Sequence, residues 1–406
     1  MNKIYKALDD KKHNTVIELC QETIKQGTPY RLECLGIQSR QYFDLGEFSK
    51  AKKIYLSHQN TPNCEWACMG LGKIALLEHE YQLASEIFEK LITNSPHYLS
   101  AYDWLAQAFK HVGEIKKSEA TLEQALTLSP RSVVRLQDYA TYCLQNKNYE
   151  KATQALLKAH ELAYNSIHHR PENALILAQS LSEYSDGIPV SEAKRLNNKA
   201  FKALALMTKE FNQIGLKIQS NLLSALLFKN TKELTLSKNM MEQAKKSLVK
   251  QQETIPPNNL IAICKSLFKL NETQIAHKLI NLVVERYSDD IIIMTEIDKL
   301  IDDSVDNEEK SKAEQALNSA LSSYKNKNPS LAITKLKKAQ TSFPNHFGLK
   351  LTLLQILLKN YQEEPNQENQ RQAVNEHISS FNNISEGHCL YSRFKKLKEK
   401  YTELAG

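Results

Sequence analysis

The sequence is 406 residues long, with 41% hydrophobic and 24% charged residues, the proportions of a soluble folded protein. Only 11 glycines are present, too few for Gly-rich phosphate loops or a turn-dense strand fold, so helix is favoured from the outset. The formal net charge of +7 is modest, and lysines and glutamates are interspersed as in EIKKSEATLEQ, which argues against a nucleic-acid binder with one concentrated basic face.

At the N-terminus, MNKIYKALDDKKHNTVIELC lacks the apolar stretch and cleavage pattern of a secretory signal. No apolar run in the chain approaches the roughly 20 residues that span a bilayer. The expectation is a cytoplasmic protein without membrane insertion. Among the 7 cysteines, Cys20, Cys34, Cys143, Cys264 and Cys389 sit alone among apolar or small residues, as reduced buried thiols do. Cys64 and Cys68 in CEWAC share a helix face, but two further ligands at zinc spacing are missing.

Tyr42, Gly46, Phe48, Ala51 and Tyr55 begin a motif that becomes explicit downstream. LGKIALLEHEYQLASEIFEKLITNSP aligns with LAQAFKHVGEIKKSEATLEQALTLSP, so that Leu71-Gly72 matches Leu105-Ala106, Ala84 matches Ser118, Phe88 matches Leu122 and Pro96 matches Pro130. Tyr139-Ala140, Ala152, Leu156 and Ala159 follow at the same interval. This period and these residue types resemble the tetratricopeptide repeat, a pair of antiparallel helices. Tyr102, Leu105-Ala106 and Phe109 supply the inner stripe of a first helix at helical spacing. Gly113 stands where that helix ends and the chain turns, and Pro130 stops the second helix. Ser118, like Ala84 and Ala152, is the point of close approach. Trp104 is expected in packing between repeats.

After Tyr164 the register changes. NSIHHRPEN reads as a turn before a helix, and DGIPVSEAKR as a longer loop with Ser191 as N-cap. Helices continue to about Lys250 with poorly marked repeats, and Pro256-Pro257 breaks the chain. Repeat positions return at Ile263-Cys264, Leu267, Ala276, Ile280 and Val283, and again at Ala320, Ala332, Leu336, Ala339 and Pro344. Tyr287–Ser304 is expected to be a connector containing a helix, and Phe347–Asn360 one more first helix. The lysine-rich end RFKKLKEKYTEL reads as a solvated cap helix. The resulting expectation is an all-α fold, a right-handed superhelical α-solenoid of tetratricopeptide helix pairs. It divides into an N-terminal array over 1–164, a helical middle section with degenerate repeats over 165–254, and C-terminal repeats with capping helices over 255–406.

Beyond the repeat, the chain resembles the tetratricopeptide module of certain bacterial two-component response regulators. The stretches that carry this likeness are NSPHYLSAYDWLAQAFKHVGE, LSPRSVVRLQDYA, NSIHHRPENALILAQSL, AEQALNSALSSYKNKNPSLAITKLKKAQTSFPNH and RFKKLKEKY. Those regulators place a phosphoacceptor receiver domain before the array. Here Asp9-Asp10 lie within a helical hairpin rather than after an apolar strand, so no phosphoacceptor is carried over. The resemblance implies an interaction module without its switch.

No catalytic constellation stands out: there is no Walker-type glycine loop, no G-x-S-x-G and no H-E-x-x-H. His168-His169 with Glu172 is expected in a turn between repeats, and Asp302, Asp303, Asp306, Glu308 and Glu309 lack the glycine of an EF-hand loop. The chain is therefore expected to be no enzyme, to need no metal or cofactor, and to bind a protein or peptide partner rather than nucleic acid. The candidate groove residues come from first helices: Arg40, Phe43, Trp66, Met69, Lys73, Asp103, Gln107, Lys110, His111, Gln137 and Thr141. Trp66 and Met69 would form an apolar anchor, and Lys73, Lys110 and His111 would supply cations for a carboxylate-bearing peptide. The leading reading is a scaffold in bacterial signalling or in assembly of a surface machine. The alternative is a sensor that binds a peptide or small signal and changes superhelical pitch.

Overall fold

The fold comes from a computed structural model, which describes residues 1–164, 166–301, 307–325, 328–344, 346–363, 368–381 and 390–405, with 307–311 described as backbone only. Among the described residues there are helices and turns and no strands. The chain forms two compact units, Met1–Ser180 and Leu181–Gly406.

Unit 1 contains α1 (Asn2–Asp9), α2 (His13–Lys25), α3 (Arg31–Asp44), α4 (Phe48–His58), α5 (Glu65–Leu77), α6 (Tyr81–Asn94), α7 (Leu99–Val112), α8 (Ile115–Leu128), α9 (Val133–Gln145) and α10 (Tyr149–Ala163). The boundary between the units falls inside α11 (Pro171–Tyr184). Unit 2 contains α12 (Val190–Glu210), α13 (Ile214–Asn230), α14 (Leu234–Gln251), α15 (Pro257–Lys269), α16 (Thr273–Tyr287), α17 (Ile291–Leu300), α18 (Asn307–Lys325), α19 (Pro329–Ser342), α20 (Phe347–Glu363), α21 (Glu368–Ser379) and α22 (Tyr391–Ala405).

One local rule builds most of these hairpins. A small, fully buried residue on the first helix faces a small, fully buried residue 12 positions later on the second. The pairs are Ser39/Ala51, Gly72/Ala84, Ala106/Ser118, Ala140/Ala152, Ala225/Ser237, Cys264/Ala276 and Ala320/Ala332. Small side chains let the helices approach closely. The serines add a bond, because Ser118 Oγ donates to the Ala106 carbonyl and Ser237 Oγ to the Ala225 carbonyl, both at 2.8 Å. In six of these seven pairs the turn between the two members passes through one left-handed residue, at Gly46, His79, Gly113, Lys147, Lys232 and Asn271. Only the glycines adopt it without steric cost; each of the others gives up about 1–2 kcal/mol.

Within the middle section, α13–α14 follows the same rule, with Ser237 bonded to the Ala225 carbonyl. Packing does not break near residue 254, since α13 lies along α15. Pro256 is the N-cap of α15 and Pro257 its first residue, so this dipeptide starts a helix within the stack. α12 begins at Val190 after an N-cap at Pro189, so Ser191 lies inside the first turn and is not the cap.

In unit 1 each helix finds its partners one or two positions along the chain. The approach is tightest at α5, where a Cβ on Gly70 would stand 2.3 Å from the Tyr55 ring and one on Gly72 2.5 Å from the Phe88 ring. Unit 2 is built differently around α20. That helix is apolar on all sides, as a core helix must be, and is packed against α17, α19, α21 and α22. The last helix therefore does not project as a solvated cap. Its Arg393 and Leu397 are buried, and it returns to α16, α17 and α20. No helix among the described residues is long and apolar enough to cross a membrane.

Candidate functional site

The first helices α3, α5, α7 and α9 present the predicted residues in two groups. Around α7 and α9, a cavity of about 200 Å³ is lined by Asp103, Gln107, Lys110, His111, Leu122, Asp138, Thr141 and Tyr142. Five predicted residues meet here, and Leu122, Asp138 and Tyr142 are additions. Asp103 is fixed by Arg135, whose Nε and Nη2 each donate to its carboxylate at 2.7 Å. Arg135 is itself buried and also bonds to Ser129. This two-point pairing is the strong form of an ion pair, and it orients the Asp103 carboxylate at the cavity wall.

Asp138 has no such support. No hydrogen bond or ion pair reaches it among the described residues, and enclosure by the surrounding helices, then the charge of Asp103, pushes its carboxyl above the ordinary range. Its ring of neighbours shows the same field: burial, then Asp138 and Asp103, pushes the Tyr142 phenol up to about 12. By surface area Asp138 is exposed, whereas its shifted carboxyl reports crowding by the surrounding structure. Both hold for a side chain open to water within a cavity. His111 is stacked on Tyr81 at 4.6 Å with the rings 10° from parallel, and Tyr81 Oη lies 2.6 Å from His79 Nδ1. Gln137 turns away from the cavity and donates to Asn173 Oδ1 at 2.5 Å, and Asn173 donates to the His168 carbonyl at 2.8 Å. That chain ties α9 to the start of α11.

The second group lies on α3 and α5. Lys73 Nζ sits 4.7 Å above the Trp104 ring, a cation–π contact across neighbouring first helices. Its ammonium is less basic than usual, chiefly through burial and next through the nearby Arg40. Arg40 is exposed. Phe43 meets Phe48 edge-on at 5.4 Å and so fastens the end of α3 to α4.

The two residues of the expected apolar anchor differ in burial. Trp66 is half-buried, its ring 3.2 Å from where a Cβ on Gly36 would stand and 6.1 Å from Tyr55. Met69 is 6% exposed and belongs to the core with Ala84, Phe88, Leu105 and Phe109, so it packs between helices and offers little open surface. The reason lies in EWACMGLGKIALL, which is apolar around most of the helix, so spacing alone does not distinguish its buried face from an open one.

The thiols are poor nucleophiles. Burial pushes Cys20, Cys143 and Cys264 up to about 12, and Cys64 and Cys68 above their ordinary value. His169 packs edge-on against Tyr164 at 5.3 Å before α11. Among the described residues no three His, Cys, Asp or Glu side chains gather in a metal-holding group. Asp302, Asp303, Asp306 and Cys389 lie outside the described residues, as do the side chains of Glu308 and Glu309.

The family model for the tetratricopeptide repeat matches residues 99–132, the hairpin of α7 and α8 that carries the cavity. This hairpin is thus a tetratricopeptide repeat, and the all-helical fold, built largely of antiparallel helix pairs, is that of an α-solenoid. Among solved structures, it is similar to the C-terminal part of a TPR repeat-containing protein from Cytophaga hutchinsonii, at 14% identity and a TM-score of 0.48, over 64% of this chain and 98% of that one. It is also similar to MamA from Desulfovibrio magneticus RS-1, at 18% identity and a TM-score of 0.35, over 41% of this chain and 94% of that one. No curated protein sequence matches the chain.

Proposed function

We propose that the chain is a non-catalytic scaffold that holds a segment of a partner protein along the first-helix face of unit 1. The observation that carries this reading is the α7–α9 cavity, where Gln107, Lys110 and Asp138 present polar groups without hydrogen-bond or ion-pair partners among the described residues. Donors and acceptors of both signs suit a peptide, with its backbone amides and mixed side chains. A small apolar cofactor would call for an apolar lining. Asp103, immobilised by Arg135, supplies one fixed acceptor, and the Lys73–Trp104 pair extends the surface towards α3.

The sequence likeness to the repeat modules of receiver-containing response regulators favours a role in bacterial signalling or in assembly of a surface machine, exercised in the cytoplasm. The test is capture from source cells with the wild-type chain and with Gln107→Ala/Asp138→Lys, followed by titration of any recovered partner as a purified fragment. At least a tenfold loss of affinity in the variant is expected. Equal affinity for the two chains removes the cavity from the binding face.

A further inference from the structure

The final helix has an unusual place in unit 2. In the regular hairpins a first helix is followed at once by its partner. α17 instead packs mainly along α20, and its buried carboxylate meets its counter-charge on α22, about a hundred residues further on. Arg393 on α22 is 1% exposed and pairs with Asp298 on α17, which is 0% exposed. The guanidinium also donates to the Met294 carbonyl at 3.2 Å and to Gln355 Oε1 on α20 at 2.7 Å. Each partner is held in turn: Thr352 Oγ1 donates to Asp298 Oδ2 at 2.9 Å, and Gln355 Nε2 donates to the Ser288 carbonyl at 2.6 Å. α20 reaches this point because it has Gly348 there, where a Cβ would stand 2.8 Å from the Asp298 Cβ.

The rest of α22 reads as a helix seated in a groove. Leu390, Arg393, Phe394, Leu397 and Tyr401 fall at the spacing of one helical face. Leu390 and Leu397 are buried, Phe394 stacks on Phe381 at 4.8 Å, and Tyr401 tilts towards Tyr361 at 6.2 Å. Polar contacts fix the rim: Ser392 donates to Asn281 on α16 at 3.1 Å, Lys396 to the Glu285 carbonyl at 2.9 Å, and Lys400 pairs with Asp289. Two of the lysines that make this segment look solvated, Lys396 and Lys400, are the rim of an interface.

We propose that α16, α17 and α20 form a helix-binding groove whose occupant is the chain's own C-terminal helix, keyed by Arg393. The groove accepts an amphipathic helix with a single buried arginine flanked by apolar residues one turn to either side. Its buried carboxyl, which burial already pushes above the ordinary range, disfavours a helix that lacks the cation, because Asp298 would then be left unpaired away from water or would have to take up a proton. This site is separate from the α7–α9 cavity, and its fate does not depend on the scaffold reading.

The test uses the full-length chain and a fluorescent peptide of residues 390–405, added in trans. In the wild type the groove is filled by the tethered helix, whose effective concentration is high, so the peptide binds weakly. Arg393→Glu in the chain sets a second carboxylate beside Asp298 and ejects the tethered helix. Peptide affinity is expected to rise at least tenfold, and the same peptide carrying R393M is expected to lose that gain. Hydrogen exchange is read alongside, with α20 staying protected in the presence of peptide. Equal peptide binding to wild type and Arg393→Glu overturns the proposal. Should Arg393→Glu leave α20 unprotected even with peptide, Lys396→Glu/Lys400→Glu loosens only the rim. A few-fold rise in affinity is then expected, and no rise overturns the proposal.

Discussion

The two units use one hairpin rule and close it in opposite ways. From α3 to α10 in unit 1, every helix packs on neighbours one or two positions away, so each contact is local in sequence. In unit 2 the pairs α13–α14, α15–α16 and α18–α19 are also local, but α17 packs on α20, and its buried Asp298 is paired with Arg393 of the last helix. Stability in the first case is approximately a sum over neighbouring repeats. In the second it also depends on one buried charge pair of high sequence separation, whose closure entropy is paid before any contact rewards it.

Substitutions of matched type in the two units put this contrast to the test. Asp298→Ala leaves Arg393 buried without its counter-charge and is expected to cost about 3–5 kcal/mol by chemical denaturation. Asp103→Ala removes the corresponding pair in unit 1, where the carboxylate borders open space, and is expected to cost roughly 1 kcal/mol. Equal losses would erase the distinction. Next in size, Gly72→Ala forces the Phe88 ring aside and is expected to cost about 1–3 kcal/mol. Phe88→Leu in the same chain should recover part of that loss in a double-mutant cycle. Lys147→Gly in unit 1 and Lys232→Gly in unit 2 relieve the same left-handed turn, and each is expected to stabilise by about 1 kcal/mol. A gain in one unit only would mean that the turn rule is not shared.

The smallest effect is a pH dependence. Because the folded-state carboxyl of Asp138 is raised, its ionisation opposes folding. That opposition is complete at pH above the folded value and vanishes below the unfolded value of about 3.9. Asp138→Asn is therefore expected to raise stability at neutral pH and to bring no gain at pH 3, measured by denaturation at both. A neutral-pH loss would contradict the stated origin of the shift.

Much of this architecture could be read from residue spacing. Leu105-Ala106, Ser118 and Pro130 recur upstream and downstream because close approach of two helices demands small residues at fixed places. The α13–α14 hairpin was hidden because α13 is buried on nearly every face, so Ala225 does not stand out on a single stripe. The role of α22 was hidden for a different reason. Pairing with a helix about a hundred residues earlier has no periodicity, and Arg393 beside Lys395 and Lys396 looks like any solvated charge. At the candidate site Gln107, Lys110, His111 and Thr141 follow from the first-helix pattern. Asp138 and Tyr142 lie one residue beyond Gln137 and Thr141, and which of two adjacent stripes faces the cavity depends on how α9 is rotated against α7.

Unit 2 draws its own last helix into its packing, whereas in unit 1 the helix pairs are local in sequence, and this difference is measurable. Native-state hydrogen exchange of the full-length chain addresses it directly. The α22 amides should exchange as slowly as those of α17 and α20, in one cooperative block. Rapid exchange across α22 with α17 and α20 still protected would mean that the helix is a frayed end and that the closure does not exist.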